Sequence, residues 1–156
     1  MTNYANKRNF FRTALLIIGY CVAQLAFAAN TSPVGRWQTI DDGDNKPRSI
    51  VKINESNGVL SGNIEKIYYR TGEGPSDLCS KCTGERHNKP FIGMNILWGL
   101  TRYPDGQWKG GKIIDPESGN TYRCKLQVSP DGKTMTVRGY LGVSLLGRDQ
   151  TWLRVS

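Results

Sequence analysis

"TYRCKLQV", Thr121 to Val128, alternates strictly: Tyr122, Cys124, Leu126 and Val128 fall on one side of an extended chain, and Arg123, Lys125 and Gln127 on the other. Side chains of a β-strand point to opposite faces in turn, so this period of two marks a strand with one covered and one wet face. Working outward, the same period recurs almost everywhere and no helical stripe interrupts it. Candidate strands before it are "VGRWQTID" (Val34 to Asp41), "SIVKINE" (Ser49 to Glu55), "LSGNIEKIYY" (Leu60 to Tyr69), "GMNILWGLT" (Gly93 to Thr101) and "QWKGGKIID" (Gln107 to Asp115). "TMTVRGYL" (Thr134 to Leu141) and "DQTWLRV" (Asp149 to Val155) follow it. Between them "DDGDNKP", "SNG", "YPDGQ", "DPESGN" and "SPDGK" supply the Asp, Asn, Pro and Gly of tight turns. Short links make sequence neighbours pair as an antiparallel meander. Without a helix to cover them, the edges of such a sheet would pair with other chains, and closure into a barrel removes the edges. Glycines in "WKGGK", "RGYLG" and "WGL" allow the sharp bends that closure needs. The expected class is therefore all-β, an up-and-down antiparallel β-barrel of about eight strands, with a two-sheet sandwich as the competing arrangement.

Upstream of the strands, Lys7, Arg8 and Arg12 precede an apolar run from Ala14 to Phe27, and "AFA" at Ala26 to Ala28 offers small residues for cleavage. That is the pattern of a secretory signal peptide. As a membrane anchor the run is broken by Gly19, Tyr20 and Gln24 and falls short of the roughly 20 apolar residues a spanning helix needs. Cys21 follows Tyr20, where a lipoprotein signal calls for a small residue, so it is expected to leave with the peptide. The expected organisation is a cleavable signal over residues 1–28, cut after Ala28, and a single domain over 29–156 in the periplasm or outside the cell. Losing three cations and no acids takes the formal charge from +8 to +5. The remaining basic residues are interleaved with acids along the chain, which fits a solvated surface rather than a nucleic-acid partner and leaves weak attraction to anionic envelope surfaces.

The ends of the domain carry a resemblance. "VGRW" has the Gly-x-Trp of the lipocalin first strand, and "TWLRV" places Arg154 where lipocalins carry a last-strand basic residue across that Trp, here Trp37. In such barrels the pair closes the base, guanidinium against indole. "GRW", "CSKCTG", "PFIGMNILWGL", "GGKIIDPESGNTYRCKLQV" and "VRGYLGVSLLGRDQTWLRV" together resemble the bacterial family of unknown function DUF2147. The resemblance implies a small exported protein with a lipocalin-like (calycin) barrel, and it brings no established activity.

"SDLCSKCTGERHNKP", residues 76 to 90, lies in a stretch from Arg70 to Phe91 that has no strand pattern and is far longer than a hairpin loop. In an oxidising compartment Cys79 and Cys82 are expected to form a disulfide, worth about 2 kcal/mol for so small a ring. Such a staple would stiffen the segment locally without pinning it to the barrel. Two sharper readings compete. Lys81, Arg86 and Lys89 would lower a thiol pKa for redox work, but Gly84 and Pro90 leave little room for the helix that thioredoxin-type sites use. Zinc would need Cys79, Cys82 and His87 to be joined by Cys124, a residue that reads more simply as filling on an apolar strand face. His87, the one histidine of the chain, is expected at the surface beside Asn88. No serine sits in a nucleophile elbow, and Asp41, Asp42 and Asp44 read as a turn, so no catalytic constellation, metal or cofactor is expected.

What remains is the barrel interior, which in eight strands either fills with side chains or holds one small ligand. Val51, Ile53, Tyr122, Cys124, Leu126, Val137 and Leu141 are the expected ligand-facing residues. Trp98 and Tyr140 lie on the opposite phase, covering the outside or turning inward after a bulge. Two readings stand: a carrier of a small apolar or amphipathic molecule, or a cavity-free module that binds an envelope protein or surface.

Overall fold

The computed structural model describes residues 31–155. The expected signal peptide, its cleavage after Ala28, and Cys21 lie outside the described residues. Eight strands follow one another: β1 Gly35–Ile40, β2 Pro47–Ser56, β3 Val59–Ile67, β4 Asn95–Arg102, β5 Trp108–Ile114, β6 Thr121–Val128, β7 Thr134–Tyr140 and β8 Gly147–Val155. One 3-10 turn, Gly84–Arg86, interrupts the segment between β3 and β4. Each strand pairs with its sequence neighbour and β8 returns to β1, giving a closed barrel in up-and-down order and ruling out the sandwich. Every strand read from alternation is present, with ends displaced by at most two residues. The turn chemistry acts as expected: Asn57 at φ 51° and Gly58 at φ 76° join β2 to β3 in the doubly left-handed geometry of a tight hairpin.

Closure depends on a short seam. The β1–β8 ladder runs over Arg36↔Val155, Trp37↔Arg154 and Gln38↔Leu153, all near one end of the barrel. Arg154 reinforces it there. Its guanidinium lies 4.2 Å from the centre of the Trp37 ring, and it donates to the carbonyls of Gly132 (2.5 Å), Ser32 (2.6 Å) and Val34 (3.2 Å). Trp37 Nε1 in turn donates to the Pro33 carbonyl at 2.8 Å. Partial burial lowers the Arg154 pKa, yet a guanidinium stays charged with so much room above neutrality, and the carbonyl dipoles replace the water it has lost.

Above this base the barrel is solid. Trp37, Val51, Ile53, Leu60, Leu97, Leu100, Cys124, Leu126 and Met135 are all buried in one cluster. A register shift in β3–β4 lets consecutive residues face inward: Ile96 and Leu97 are both buried in the core beside it.

Replacing Arg154 with Met keeps an apolar stem on the indole but removes the donor to three carbonyls. The expected result is a loss of about 2–3 kcal/mol in unfolding free energy, read as a lower urea midpoint at unchanged slope.

Candidate functional site

At the end opposite Arg154 the interior opens into a cavity of about 780 Å³. Its mouth is framed by the β1–β2 turn, the long β3–β4 segment, the β5–β6 turn and the β7–β8 loop. The cavity exists because of what the strands place inward at this height. Thr39, Ser49, Gly139 and Gln150 border it, small or polar where the lower barrel has large aliphatics, and so the walls do not meet. Ile64, Ile96, Ile113 and Tyr122 supply apolar wall. Val137 on β7 and Trp152 on β8 lie one inward position farther from the mouth than Gly139 and Gln150, border the cavity and are buried, and so form its floor. The buried hydroxyls satisfy each other: Ser49 N donates to Thr39 Oγ1 at 3.0 Å and the two side-chain oxygens are 2.8 Å apart. Thr39 Oγ1 also donates to the Ser49 carbonyl at 3.5 Å and is then fully used, whereas Ser49 Oγ retains acceptor capacity.

Ion pairs lace three of the mouth segments to one another and to the starts of β2 and β8. Arg48, at the start of β2, grips Glu73 of the long segment with two parallel bonds of 2.6 and 2.9 Å, and donates from Nε to Glu117 of the β5–β6 turn at 2.6 Å. Arg70 reaches back to the β1–β2 turn, 3.0 Å from Asp44 and 3.3 Å from Asp41. Asp42 of the same turn pairs with Arg148 and accepts from Gln150 of β8 at 3.1 Å. Arg48 holds the Glu73 carboxyl below its ordinary range, aided by the Arg70 backbone amide. The Gly43 amide, followed by Arg70, does the same for Asp41. The three aspartates read as a turn do form one, with Gly43 N on Asp41 and Lys46 N on Asp44, and they also tie the rim.

Cys79 and Cys82 form the expected disulfide. The expectation that it leaves the segment unattached is overturned. Both sulfurs are buried, Cys79 Sγ lies 3.1 Å from the Pro116 carbonyl oxygen, and Gly119 packs so closely that a Cβ there would stand 2.0 Å from the Lys81 carbonyl. Farther along, Arg86 stacks 4.2 Å over the Trp98 ring and donates to the Asn95 carbonyl at 3.0 Å. The segment is thus pinned to the β5–β6 turn on one side and to the outer face of β4 on the other. Trp98 takes the outward option, covered by Arg86; Tyr140 borders the mouth at the end of β7.

This arrangement removes the chemistry that the sharper readings needed. Redox exchange needs a reachable sulfur, and neither is exposed. The proposed zinc set is not assembled: Cys79 and Cys82 are joined, Cys124 is a buried thiol in the barrel wall, and His87 bonds through Nδ1 to the Cys82 carbonyl at 2.9 Å. Among the described residues no group of three or more metal-ligating side chains occurs.

The residues expected to face a ligand separate by height. Tyr122, Val137 and Leu141 border the cavity. Val51, Ile53, Cys124 and Leu126 do not; they are sealed in the core below it. Leu141 stands at the rim, 63% exposed, rather than inside. Alternation tells which face a residue takes and nothing about its level along the barrel axis. Arg48, Glu73, Glu117, Thr39 and Ser49 escaped sequence reading because they fall in turns or look like ordinary strand polar residues, and Gly139 was read only as one of the glycines that allow closure.

A carboxyl whose pKa is depressed on folding stabilises above its unfolded value and loses that contribution as pH falls through its folded value. For Glu73 the clasp on Arg48 is therefore complete above its ordinary pKa of 4.5 and fades below it. Limited proteolysis of the 70–91 segment should accelerate on acidification below that value, and Arg48→Gln should give the faster cleavage already at neutral pH. Burial pushes the Cys124 thiol up to about 12. Iodoacetamide should leave it intact in the native protein at mildly alkaline pH and label it once the barrel is denatured.

Comparison with known proteins places this geometry. No curated protein matches the chain. Among solved structures the barrel matches protein HP1028 from the human pathogen Helicobacter pylori, which belongs to the lipocalin family, at 21% identity and a TM-score of 0.69 over 81% of this chain and 84% of that one. At that identity the likeness is one of fold. Residues 35–154 match the family described as an uncharacterized protein conserved in bacteria, DUF2147. The chain therefore belongs to the DUF2147 family, and it folds as a lipocalin-like, closed eight-stranded barrel.

Proposed function

We propose that the protein is an exported carrier that binds one small apolar or amphipathic molecule in the open half of its barrel. The observation that carries this reading is the cavity itself, about 780 Å³ with a floor of Val137 and Trp152, within the roughly 300–1,000 Å³ common for small-ligand sites. An apolar body would lie against Ile64, Ile96, Ile113 and the floor. A polar end would meet the Ser49 hydroxyl or the Arg48–Glu73 pair at the mouth. The fold likeness to a lipocalin-family protein supports the same use of the interior. Export is supported by the charged and apolar pattern before Ala28 and by a disulfide suited to an oxidising compartment.

Binding rather than catalysis is favoured by the composition of the cavity wall. The histidine does not border it, and its carboxylates are tied to Arg48, Arg70 and Arg148 or accept from turn amides. The remaining acid–base groups of the wall are the phenols of Tyr69, Tyr122 and Tyr140, which have no paired base beside them among the described residues.

Gly139 offers a clean test. A Cβ there would stand 3.5 Å from Tyr122 Cβ and 3.7 Å from Ile113 Cγ2, ordinary contact distances, so the backbone accepts a side chain whose remainder projects into the empty space. An apolar fluorophore should titrate the native protein with one-to-one saturation, and Gly139→Leu should weaken it by about tenfold or more without lowering the thermal midpoint. No saturable binding, or equal binding by the variant, would remove the cavity from the function.

A further inference from the structure

The β7–β8 loop carries a feature that ligand storage does not require. Within six residues, Leu141, Val143, Leu145 and Leu146 are 63%, 62%, 86% and 74% exposed. Single exposed aliphatics are ordinary, whereas four on one short loop form a contiguous apolar projection of the kind that marks a contact surface. The loop is also held in shape. Arg138 donates to the Ser144 carbonyl at 2.7 Å and to the Leu145 carbonyl at 3.1 Å while pairing with Asp149, and Leu146 N closes a turn on Val143 O at 3.1 Å. Its aliphatic side chains are thus presented to solvent by a polar anchor behind them.

The outer wall beside this loop is basic. Strand register sets Lys112 beside Arg123, Arg123 beside Tyr140, and Tyr140 beside Gly147, with Lys125 beside Arg138 in the next row. Cross-strand partners share a face, so Lys112, Arg123, Lys125 and Arg138 lie together on the outside of β5, β6 and β7. Asp149 is the acid among them, and it pairs with Arg138. Lys112, Arg123 and Lys125 have no carboxylate partner among the described residues. Around the mouth, Asp41, Asp42, Glu73 and Glu117 share the three arginines Arg70, Arg148 and Arg48, while Asp77 and Asp115 accept from turn amides, so the far rim stays acidic and an anionic surface is met by the loop and the outer wall of β5–β7 instead.

We propose that the Leu141–Leu146 loop and the basic wall of β5–β7 form a docking surface for an anionic lipid bilayer. Aliphatic side chains enter the headgroup boundary while lysine and arginine meet lipid phosphates, the two contributions that together give interfacial binding. Charge complementarity selects this occupant over a second copy of the chain, whose own basic wall would face it. Leu141 and Leu146 also border the cavity, so docking brings the β7–β8 side of the mouth to the lipid and gives an apolar ligand a path that avoids bulk water.

The test is flotation of the protein, purified from its expressing cells, with vesicles of phosphatidylcholine alone or of phosphatidylcholine and phosphatidylglycerol in equal parts. Any contribution of the first 30 residues is common to native and variant chains. The native protein should float with the mixed vesicles, less so at high salt. Val143→Glu with Leu145→Glu, two positions outside the cavity lining, should weaken this by about tenfold or more, as should Lys112→Gln with Arg123→Gln. Failure of the native protein to float, variants that float equally well, or a solution dimer dissociated by the loop variant would overturn the proposal. Fluorophore titration of the same loop variant should be unchanged, so that loss of docking and loss of the cavity are read separately.

Discussion

The barrel rests on a three-pair seam between its first and last strands, braced by one arginine. Eight antiparallel strands in a meander have two free edges, and only their meeting removes both. Because β1 and β8 pair over so few residues, the stack of Arg154 on Trp37 and its bonds to three carbonyls bring backbone from before β1 and from the β6–β7 turn into one knot. Everything inside follows from where that knot lies. At its end the walls converge on large aliphatic and indole side chains; at the other end the seam is bridged by Asp42 with Arg148 and Gln150, and the walls stay apart.

The interior is therefore half plug and half cup, and neither a wholly filled nor a wholly hollow barrel describes it. The plug provides the stability that a ligand cavity takes away, since every inward position given to Thr39, Ser49 or Gly139 forgoes apolar burial. The mouth is then made rigid by charge rather than by packing. Arg48 joins three separate segments, and the stapled loop sits against the β5–β6 turn with no space for a side chain at Gly119. Such preorganisation holds the cup open, which would lower the ordering cost of the binding proposed for it.

Much of this was legible in the residues. Period-two alternation is local, so each strand announced itself, and Asn57–Gly58 marked its hairpin. Trp37 and Arg154 could be paired because the chain's ends resemble the Gly-x-Trp and last-strand basic residue of lipocalins. Cys79 and Cys82 could be paired because their spacing suits a small ring in the oxidising compartment that the residues before Ala28 lead one to expect. The site was less legible for two physical reasons. Alternation specifies a face and is blind to height, so Val51, Ile53, Cys124 and Leu126 looked like cavity wall and are plug. Long-range polar contacts leave no local signature either: Arg48 finds Glu73 and Glu117 at separations of 25 and 69 residues, and only the closed topology brings them together.

The division of the interior is tested most directly by amide chemical-shift mapping of the isotope-labelled protein with one saturating apolar ligand. The expected result is perturbation at Thr39, Ser49, Ile113, Tyr122 and Gly139, with Ile53, Leu60, Leu126 and Met135 unmoved. Perturbations confined to the outer wall around Trp98 and Arg123, or spread evenly through the lower core, would contradict a cup above a plug.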